Sequence, residues 1–209
     1  MDISRRSVLA GGATIGASAL AGCIGGGGGD KVEELPTPTI GQDDAPVTVQ
    51  AFEDFACPHC GTFALEILPA IVEEYVEPGD VRYEHHDFPL GDPTSTLGDP
   101  SWRWQAASAA RAVQDAQGDE AFFQFVKGIY LNIDKNSVEV LGALADQLGV
   151  DRESVESAAR ELRYQPVLEA DKSLGKEMGV RGTPTVFVNG SKVESYAFQR
   201  VSAAIESEL

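Results

Sequence analysis

Short apolar runs and helix-period stripes alternate along the chain from residue 46 onward. Residues 47–52 form a strand-like run bounded upstream by Asp43-Asp44-Ala45-Pro46. Apolar residues then recur at helical spacing over residues 63–75, which predicts a helix lying against a sheet with a kink at Pro69. The next strand is predicted at residues 81–86. This pattern predicts a β-α-β start to an α/β fold.

The middle of the chain is dominated by helical patterns, which follow a loop rich in Gly, Pro, Asp, Ser and Thr at residues 89–100. No second group of catalytic residue types occurs there, and the phenylalanines are predicted to lie in the core. At the end of the chain, Asn189-Gly190 predicts a hairpin turn between two strands. The predicted helices are 101–117, 120–131, 137–148, 152–162, 166–178 and 196–208, and the two strands are 185–188 and 191–195.

Residues 1–22 have the pattern of a targeting segment. Arg5-Arg6 precede an apolar, small-residue run that is too short for a transmembrane helix. The segment resembles a twin-arginine export signal, and Leu20-Ala21-Gly22-Cys23 resembles a lipoprotein cleavage box in which Cys23 is lipidated. An ordinary signal with an incidental cysteine, or an uncleaved anchor, is the alternative. The predicted organisation is a signal at 1–22, a lipid-anchored flexible tether at 23–45 and one domain at 46–209.

The chain is strongly acidic, with a formal net charge of -17. Removing residues 1–22 takes away Asp2, Arg5 and Arg6 and leaves -18. This charge argues against a nucleic-acid partner, because phosphates would be repelled. The acidic residues are scattered over the predicted helices, which indicates a solvated surface. Adaptation to high salt is favoured over ordinary solubility.

The pair Cys57-Pro58-His59-Cys60 follows the first predicted strand and opens the first predicted helix. Such spacing suits a disulfide across one helical turn or half of a metal site, and zinc is the weaker interpretation because Cys23 is the only other cysteine. A helix N-terminus stabilises a thiolate at Cys57, Pro58 fits the first turn, and His59 adds a donor or a positive charge. The pair is therefore predicted to form an oxidising disulfide.

Acidic and histidine residues flank this pair. Asp54 is the predicted proton carrier for Cys60, and a surface or capping acid is the alternative interpretation. His85 and His86 are adjacent in a predicted strand, so their side chains point to opposite faces and make a poor chelating pair. They are predicted to be structural polar residues.

A second informative stretch precedes the hairpin. Thr183-Pro184 stands at a strand entrance, where proline is tolerated and its peptide bond is either cis or trans. Together with the Cys57–Cys60 pair, this stretch resembles the DsbA-like branch of the thioredoxin superfamily. The sequences Phe52-Glu53-Asp54-Phe55 and His86-Asp87-Phe88-Pro89-Leu90 are also similar to that branch.

This resemblance implies a thioredoxin-like fold with a helical domain inserted at about residues 100–164. It also implies a cis peptide at Thr183–Pro184 that packs beside the disulfide and offers main-chain groups to a substrate. Two residues depart from the prototype oxidant: Thr183 stands in place of Val, as in disulfide isomerases, and Ala51 stands in place of a buried Glu. Asp54 or Glu53 is then left as the substitute acid.

The function expected from these observations is thiol-disulfide exchange through Cys57 and Cys60, introducing disulfides into exported proteins outside the cytoplasm. No metal and no cofactor beyond that disulfide is expected. The expected partners are exported proteins with thiols, a redox-recycling partner and, through a lipid anchor, the outer face of the cytoplasmic membrane; the protein is expected to be a monomer. A surface reductase or isomerase, and a copper or zinc carrier using Cys57, Cys60 and His59, are alternatives.

Overall fold

The computed structural model of the protein describes residues 30–94 and 101–209. The predicted signal segment at 1–22, the predicted lipid site Cys23 and the end of the predicted 89–100 loop lie outside these residues. No helix in the two described stretches has the length and apolar character needed to cross a membrane.

A five-stranded mixed sheet forms the centre of the described structure, with the order β1-β3-β2-β4-β5. Strands β2 and β3 run parallel, with Glu53 opposite Asp87, and β4 runs antiparallel to β2, with Thr185 opposite Phe52. The residues that follow β2 and those that precede β4 therefore meet at one edge of the sheet. The strands are β1 Thr39–Ile40, β2 Val47–Glu53, β3 Val81–Asp87, β4 Thr185–Val188 and β5 Ser191–Lys192.

Eight α-helices occur in the described residues, and most of them follow the predicted periodicity. The first predicted helix is divided: π-helical turns at Phe63–Ile67 and Val72–Val76 flank α2. Pro69 explains the first wide turn, because it has no N–H to donate to the preceding turn. The helices are α1 Pro58–Thr62, α2 Leu68–Ile71, α3 Trp102–Gln117, α4 Asp119–Leu131, α5 Val138–Gln147, α6 Arg152–Glu161, α7 Gln165–Glu177 and α8 Phe198–Glu206.

Two large apolar clusters stabilise the fold. One lies among α3 to α7 and includes Trp104, Phe122 and Phe125, so the prediction that these phenylalanines belong to the core is confirmed. The other lies between the sheet, the two π-helical turns, α2 and α8, and it includes Phe63 and Tyr83. Helices α3 to α6 occupy the chain between β3 and α7, and the α/β fold class is confirmed.

The N-terminal part of the described chain departs from the prediction. Residues 23–45 were predicted to form a flexible tether, yet Lys31 Nζ donates to the carbonyls of Glu161 and Leu162 at 2.7 and 2.8 Å. Strand β1 pairs antiparallel with β3, and the Thr39 N–H donates to Asp119 Oδ2 at 3.0 Å. The folded unit thus begins before the predicted boundary at residue 46. This stretch has no apolar period of its own. Its contacts with residues distant along the chain could therefore not be predicted from the sequence pattern.

Candidate active site

The cysteine pair lies at the edge of the sheet where β2 ends and β4 begins. Cys57 is the N-cap of α1, with extended backbone angles, and Pro58 occupies the first turn of the helix. Cys60 follows one turn later and is fully buried, whereas Cys57 is half-buried. Both are free thiols in this structure. Only Cys57 therefore presents its sulfur to an incoming molecule.

The environment of Cys57 favours the thiolate. Its pKa is lowered from 9.0 to about 5, first by a hydrogen bond from the Cys60 thiol. Burial opposes this shift, and the main-chain N–H groups of Cys60 and His59 reinforce it. These N–H groups are free to donate because the first turn of a helix has no intrahelical acceptors for them.

The His59 side chain is directed to a different partner. Its Nδ1 atom lies 2.9 Å from the Tyr196 hydroxyl, at the exposed surface. The sequence predicted that the imidazole itself would stabilise the Cys57 thiolate. In the structure His59 lowers the Cys57 pKa through its main-chain N–H.

The Thr183–Pro184 peptide bond is cis, as the family resemblance implied. The Cys57 thiol donates to the Thr183 carbonyl at 3.3 Å, so the proline loop contacts the exposed sulfur. Within the described residues, the buried Thr183 hydroxyl beside the Cys57 thiol has no hydrogen-bond partner. It lies close enough to lower the pKa of this thiol. The loop therefore offers both a main-chain acceptor and a side-chain donor beside Cys57.

Cys60 has the opposite character. Burial raises its pKa far above the ordinary value of 9.0, and the hydrogen bond it donates to Cys57 and the negative charge of Glu53 raise it further. The main-chain N–H of Asp54 is 3.5 Å from the Cys60 sulfur. At neutral pH this sulfur is a thiol, and it needs a proton whenever a disulfide involving it is broken.

The structure places the Asp54 carboxylate away from that role. Its oxygens accept hydrogen bonds from the N–H groups of Ala56 and Leu90, both at 2.8 Å, and form an ion pair with Arg103. Asp54 follows the last residue of β2 and ties the loops after β2 and β3 to α3. The predicted proton carrier is thus a loop anchor, and its main chain, not its carboxylate, contacts Cys60.

Glu53 is the carboxylate whose charge reaches Cys60. Its side chain is 1% exposed and accepts hydrogen bonds from the hydroxyls of Tyr83 at 2.9 Å and Tyr130 at 3.2 Å. A signal for it was present in the sequence: alternation along β2 puts Val49, Ala51 and Glu53 on one face, so an acid interrupts an apolar face.

A buried chain of charged groups continues from Glu53. His85 Nδ1 is 3.3 Å from Glu53 and its Nε2 is 3.4 Å from Asp87. Asp87 pairs with Arg111 at 2.6 Å, and Arg111 also pairs with Asp171 at 2.5 Å. The sequence predicted His85 to be a structural polar residue, and it did not predict this connection to the site.

Buried carboxylates control the protonation of His85. Burial by itself lowers the pKa of a histidine, but the hydrogen bonds to Asp87 and Glu53 outweigh it and raise the pKa from 6.5 to about 9. Arg111 and His85 together hold the pKa of Asp87 below its ordinary value. His85 is therefore a cation at neutral pH.

Among residues 30–94 and 101–209, no set of three or more His, Cys, Asp or Glu side chains is arranged to hold a metal ion. What the site offers chemically is a nucleophilic sulfur at the surface, a buried protonated sulfur and a buried acid whose charge reaches the second sulfur.

Comparison with known proteins gives consistent matches. A family model described as thioredoxin matches residues 33–207. The probable disulfide bond formation protein D of Bacillus cereus is 31% identical over 180 residues, covering 82% of this chain and 78% of that protein. Disulfide bond formation protein D of Bacillus subtilis is 28% identical over 193 residues, covering 87% of this chain and 83% of that protein.

Solved structures give the same fold. The crystal structure of oxidised BdbD from Bacillus subtilis superposes with a TM-score of 0.71 at 25% identity, covering 86% of this chain and 98% of that one. DsbA of Chlamydia trachomatis also gives a TM-score of 0.71, at 20% identity, over 87% of this chain and 96% of that one.

Proposed function

Since the chain belongs to the thioredoxin family, as a DsbA-like thiol-disulfide oxidoreductase, we propose that it introduces disulfides into exported proteins through Cys57 and Cys60. The observation that carries this proposal is the contrast between the two sulfurs. A reduced state that holds Cys57 as a thiolate, with a pKa of about 5, is a stabilised reduced state. The corresponding disulfide is then a strong oxidant.

The first step is attack of a substrate thiolate on the Cys57 sulfur of the oxidised protein. A bond forms between the substrate sulfur and Cys57, the Cys57–Cys60 bond breaks, and its electron pair leaves on Cys60. Burial of Cys60 prevents a protein substrate from attacking it directly. The leaving Cys60 sulfur takes up a proton, because burial and the Glu53 charge disfavour its thiolate.

The second step resolves the mixed disulfide. A second substrate thiolate attacks the first substrate sulfur, so the substrate disulfide forms and Cys57 leaves as a thiolate. The N–H groups of His59 and Cys60 and the Cys60 thiol then stabilise that thiolate. Two electrons have passed from the substrate to the protein, which needs an external oxidant or a membrane partner to restore its disulfide.

The predicted site residues around the cysteine pair have a part in this proposal, with the exception of Asp54. Pro58 begins the helix that orients the N–H donors, and His59 supplies one of them. Thr183 and Pro184 form the loop on which an extended substrate docks beside Cys57. Glu53 replaces Asp54 as the group that gives a proton to Cys60, since the Asp54 carboxylate is held by Arg103 and Leu90.

The proposed location is the outer face of the cytoplasmic membrane. The support is in the sequence: the Arg5-Arg6 segment resembles an export signal, and Cys23 ends a lipoprotein-like box. The protein would act there as a lipid-anchored monomer, in high salt, with no cofactor beyond its own disulfide. Membrane fractionation tests the anchor: a Cys23→Ser variant is expected in the soluble fraction, and its retention in the membrane would contradict lipidation.

The deciding experiment is the equilibrium reduction potential of the full chain in high salt against a glutathione buffer. The expected value is above the glutathione poise of about -220 mV. A value near the about -270 mV of thioredoxin would contradict the oxidant role and favour the reductase alternative. A Cys57→Ser variant should show no redox transition, whereas Cys23→Ser, which keeps the pair, should match the wild type.

A further inference from the structure

His85 is enclosed between two carboxylates, one of which, Glu53, has a charge that reaches Cys60. Its Nδ1 atom is 3.3 Å from Glu53 Oε1, and its Nε2 atom is 3.4 Å from Asp87 Oδ1. The imidazole is 1% exposed, stacked on Phe55 at a ring separation of 5.7 Å and edge-on to Phe122 at 5.1 Å. Both ring nitrogens therefore face an acid, and no water is needed to connect His85 to Glu53.

The groups that face this pair come from every element packed around it. Strand β2 contributes Glu53, β3 contributes Asp87, and α3 contributes Arg111, which contacts Asp87 on its far side. The Glu53 carboxylate is also held by hydroxyls whose pKa values are raised, so they remain protonated donors. These hydroxyls belong to Tyr83 on β3 and Tyr130 on α4.

The exchange reaction requires that a proton be delivered to Cys60. When the Cys57–Cys60 bond breaks, Cys60 gains an electron pair within reach of the negative charge of Glu53, and it needs a proton. Tyr83 and Tyr130 hold their protons strongly, and an arginine such as Arg111 keeps its proton in proteins. Among the described residues that contact Glu53, His85 is the cation able to release one.

We propose that His85 is the proton reservoir of the site: it gives its Nδ1 proton to the Glu53 carboxylate, and the protonated Glu53 then passes a proton to the departing Cys60 sulfur. One proton leaves His85 and one arrives on Cys60, so Glu53 ends as a carboxylate and His85 as a neutral ring that is later reprotonated from water. His85 is thus a positioning residue that acts through Glu53. The inference rests on the proposed exchange at Cys57 and deepens it.

His86 provides a matched control at the neighbouring position. It lies on the opposite face of β3, with Nδ1 at 3.1 Å from Asp171 and its ring stacked on Phe52 at 4.8 Å. Like His85 it is buried and paired with acids. Within the described residues it has no contact with Glu53, so its loss perturbs a buried ion pair without touching the proposed proton path.

The test compares His85→Gln and His86→Gln in the full chain. The rate of reduction of each oxidised protein by dithiothreitol is measured across pH and divided by the concentration of dithiothreitol thiolate. In the wild type this rate should fall above pH 9, where His85 loses its proton. In His85→Gln the proton reservoir is absent, so the rate should be at least about tenfold below wild type near about pH 8 and should no longer fall above pH 9.

The control and a second measurement complete the test. His86→Gln should keep the wild-type profile, and the Cys57 pKa, followed by thiolate absorbance, should stay near 5 in both variants. An unchanged profile in His85→Gln, or an equal change in His86→Gln, would overturn the proposal. If His85→Gln does not fold, nitrogen NMR of the wild type decides: a neutral His85 ring at pH 7 would overturn it.

These outcomes separate the two proposals. Absence of exchange at Cys57 in the wild type would remove the proposed function. The NMR titration of His85 does not depend on exchange, so it would still report whether the imidazole holds a proton to give.

Discussion

Cys57 and Cys60 lie one helical turn apart, yet the groups that control their protons come from different parts of the chain. The Cys57 thiolate is stabilised by Cys60, by main-chain N–H groups of the first turn of α1 and by the Thr183 loop. Cys60 is governed by burial and by Glu53, which is itself held by side chains from β3 and α4.

This difference determines which of the two sulfurs a substitution below the site can affect. The low pKa of Cys57 depends first on the Cys60 thiol and then on main-chain donors of the first helical turn, which are present whatever the side chains are. The proton supply to Cys60 depends on a few buried charges, each of which a single substitution can remove. Mutations below the site should therefore alter Cys60 chemistry and stability while leaving Cys57 nearly unchanged.

The largest effect is expected from Arg111→Met. This arginine is buried and pairs with Asp87 and Asp171, so its loss removes the permanent cation that these two carboxylates share. The free energy of unfolding should fall by about 3–5 kcal/mol, measured by denaturant titration. The Cys57 pKa should remain near 5 if the variant is folded.

The matched control for this substitution is Arg152→Met. Arg152 pairs with Glu156 at 2.7 Å on an exposed helix face, where screening makes ion pairs weak. Its denaturation midpoint should be that of the wild type. Equal loss in the two variants would mean that the buried network has no special part in stability.

The next effect is a pH dependence that differs between the redox states. Folding raises the pKa of His85 from 6.5 to about 9, so its contribution is full below pH 6.5 and is lost as the pH rises through 9. The free energy of unfolding of the oxidised protein should fall by about 3 kcal/mol over that interval.

The reduced protein should show less of this fall. Folding lowers the Cys57 pKa from 9.0 to about 5, so its contribution grows as the pH rises between these values and opposes the loss at His85. Denaturant titrations of both redox states at several pH values measure the difference. Parallel pH profiles for the two states would contradict the assigned contrast between the sulfurs.

Glu53→Gln should slow disulfide exchange by about 10²-fold, the usual contribution of a positioned proton donor. Glutamine keeps an acceptor oxygen for one of the Tyr83 and Tyr130 hydroxyls, and its amide NH2 can donate to the other hydroxyl, so the fold should be preserved. Asp54→Asn is the control: it weakens the pair with Arg103, yet it should leave the pH profile of exchange intact. A larger kinetic loss in Asp54→Asn would restore Asp54 as the proton carrier.

The pH dependence of the reduction potential should show that reduction is accompanied by protonation of only one of the two sulfurs. Above pH 5 the reduced protein keeps a proton on Cys60 but not on Cys57, so one proton accompanies two electrons. The potential should therefore fall by about 30 mV per pH unit between pH 5 and 9, the value of a tenfold change for a two-electron couple. A slope of about 60 mV per unit at neutral pH would mean that both sulfurs are protonated.

Local patterns were sufficient to predict the exposed half of the site. The strand before Cys57, the helix that Pro58 opens and the strand entrance at Pro184 each depend on a few consecutive residues. The helices from α3 to α7 were likewise predictable from apolar periodicity. These elements place Cys57 beside Thr183 because β2 and β4 are neighbours in the sheet.

The buried half depended on contacts between distant residues. The choice between Glu53 and Asp54 required knowing which carboxylate meets Tyr130 and which meets Arg103, on helices far along the chain. The prediction of a tether before residue 46 failed for a similar reason. Lys31 in this stretch is held by carbonyls at the end of α6, which is distant along the chain. Such partners have no local signature in the sequence.

The smallest effect is expected at His59, where side chain and main chain can be separated. In His59→Ala the N–H donor remains and the contact with Tyr196 is lost, so the Cys57 pKa should move by less than about one unit. In His59→Pro the N–H itself is removed, at a first-turn position that tolerates proline. The Cys57 pKa should rise more in His59→Pro than in His59→Ala, as measured by thiolate absorbance. A larger rise in His59→Ala would show that the imidazole, and not the helix N-terminus, stabilises the thiolate. The protonation of Cys57 would then depend on nearby side chains, as that of Cys60 does.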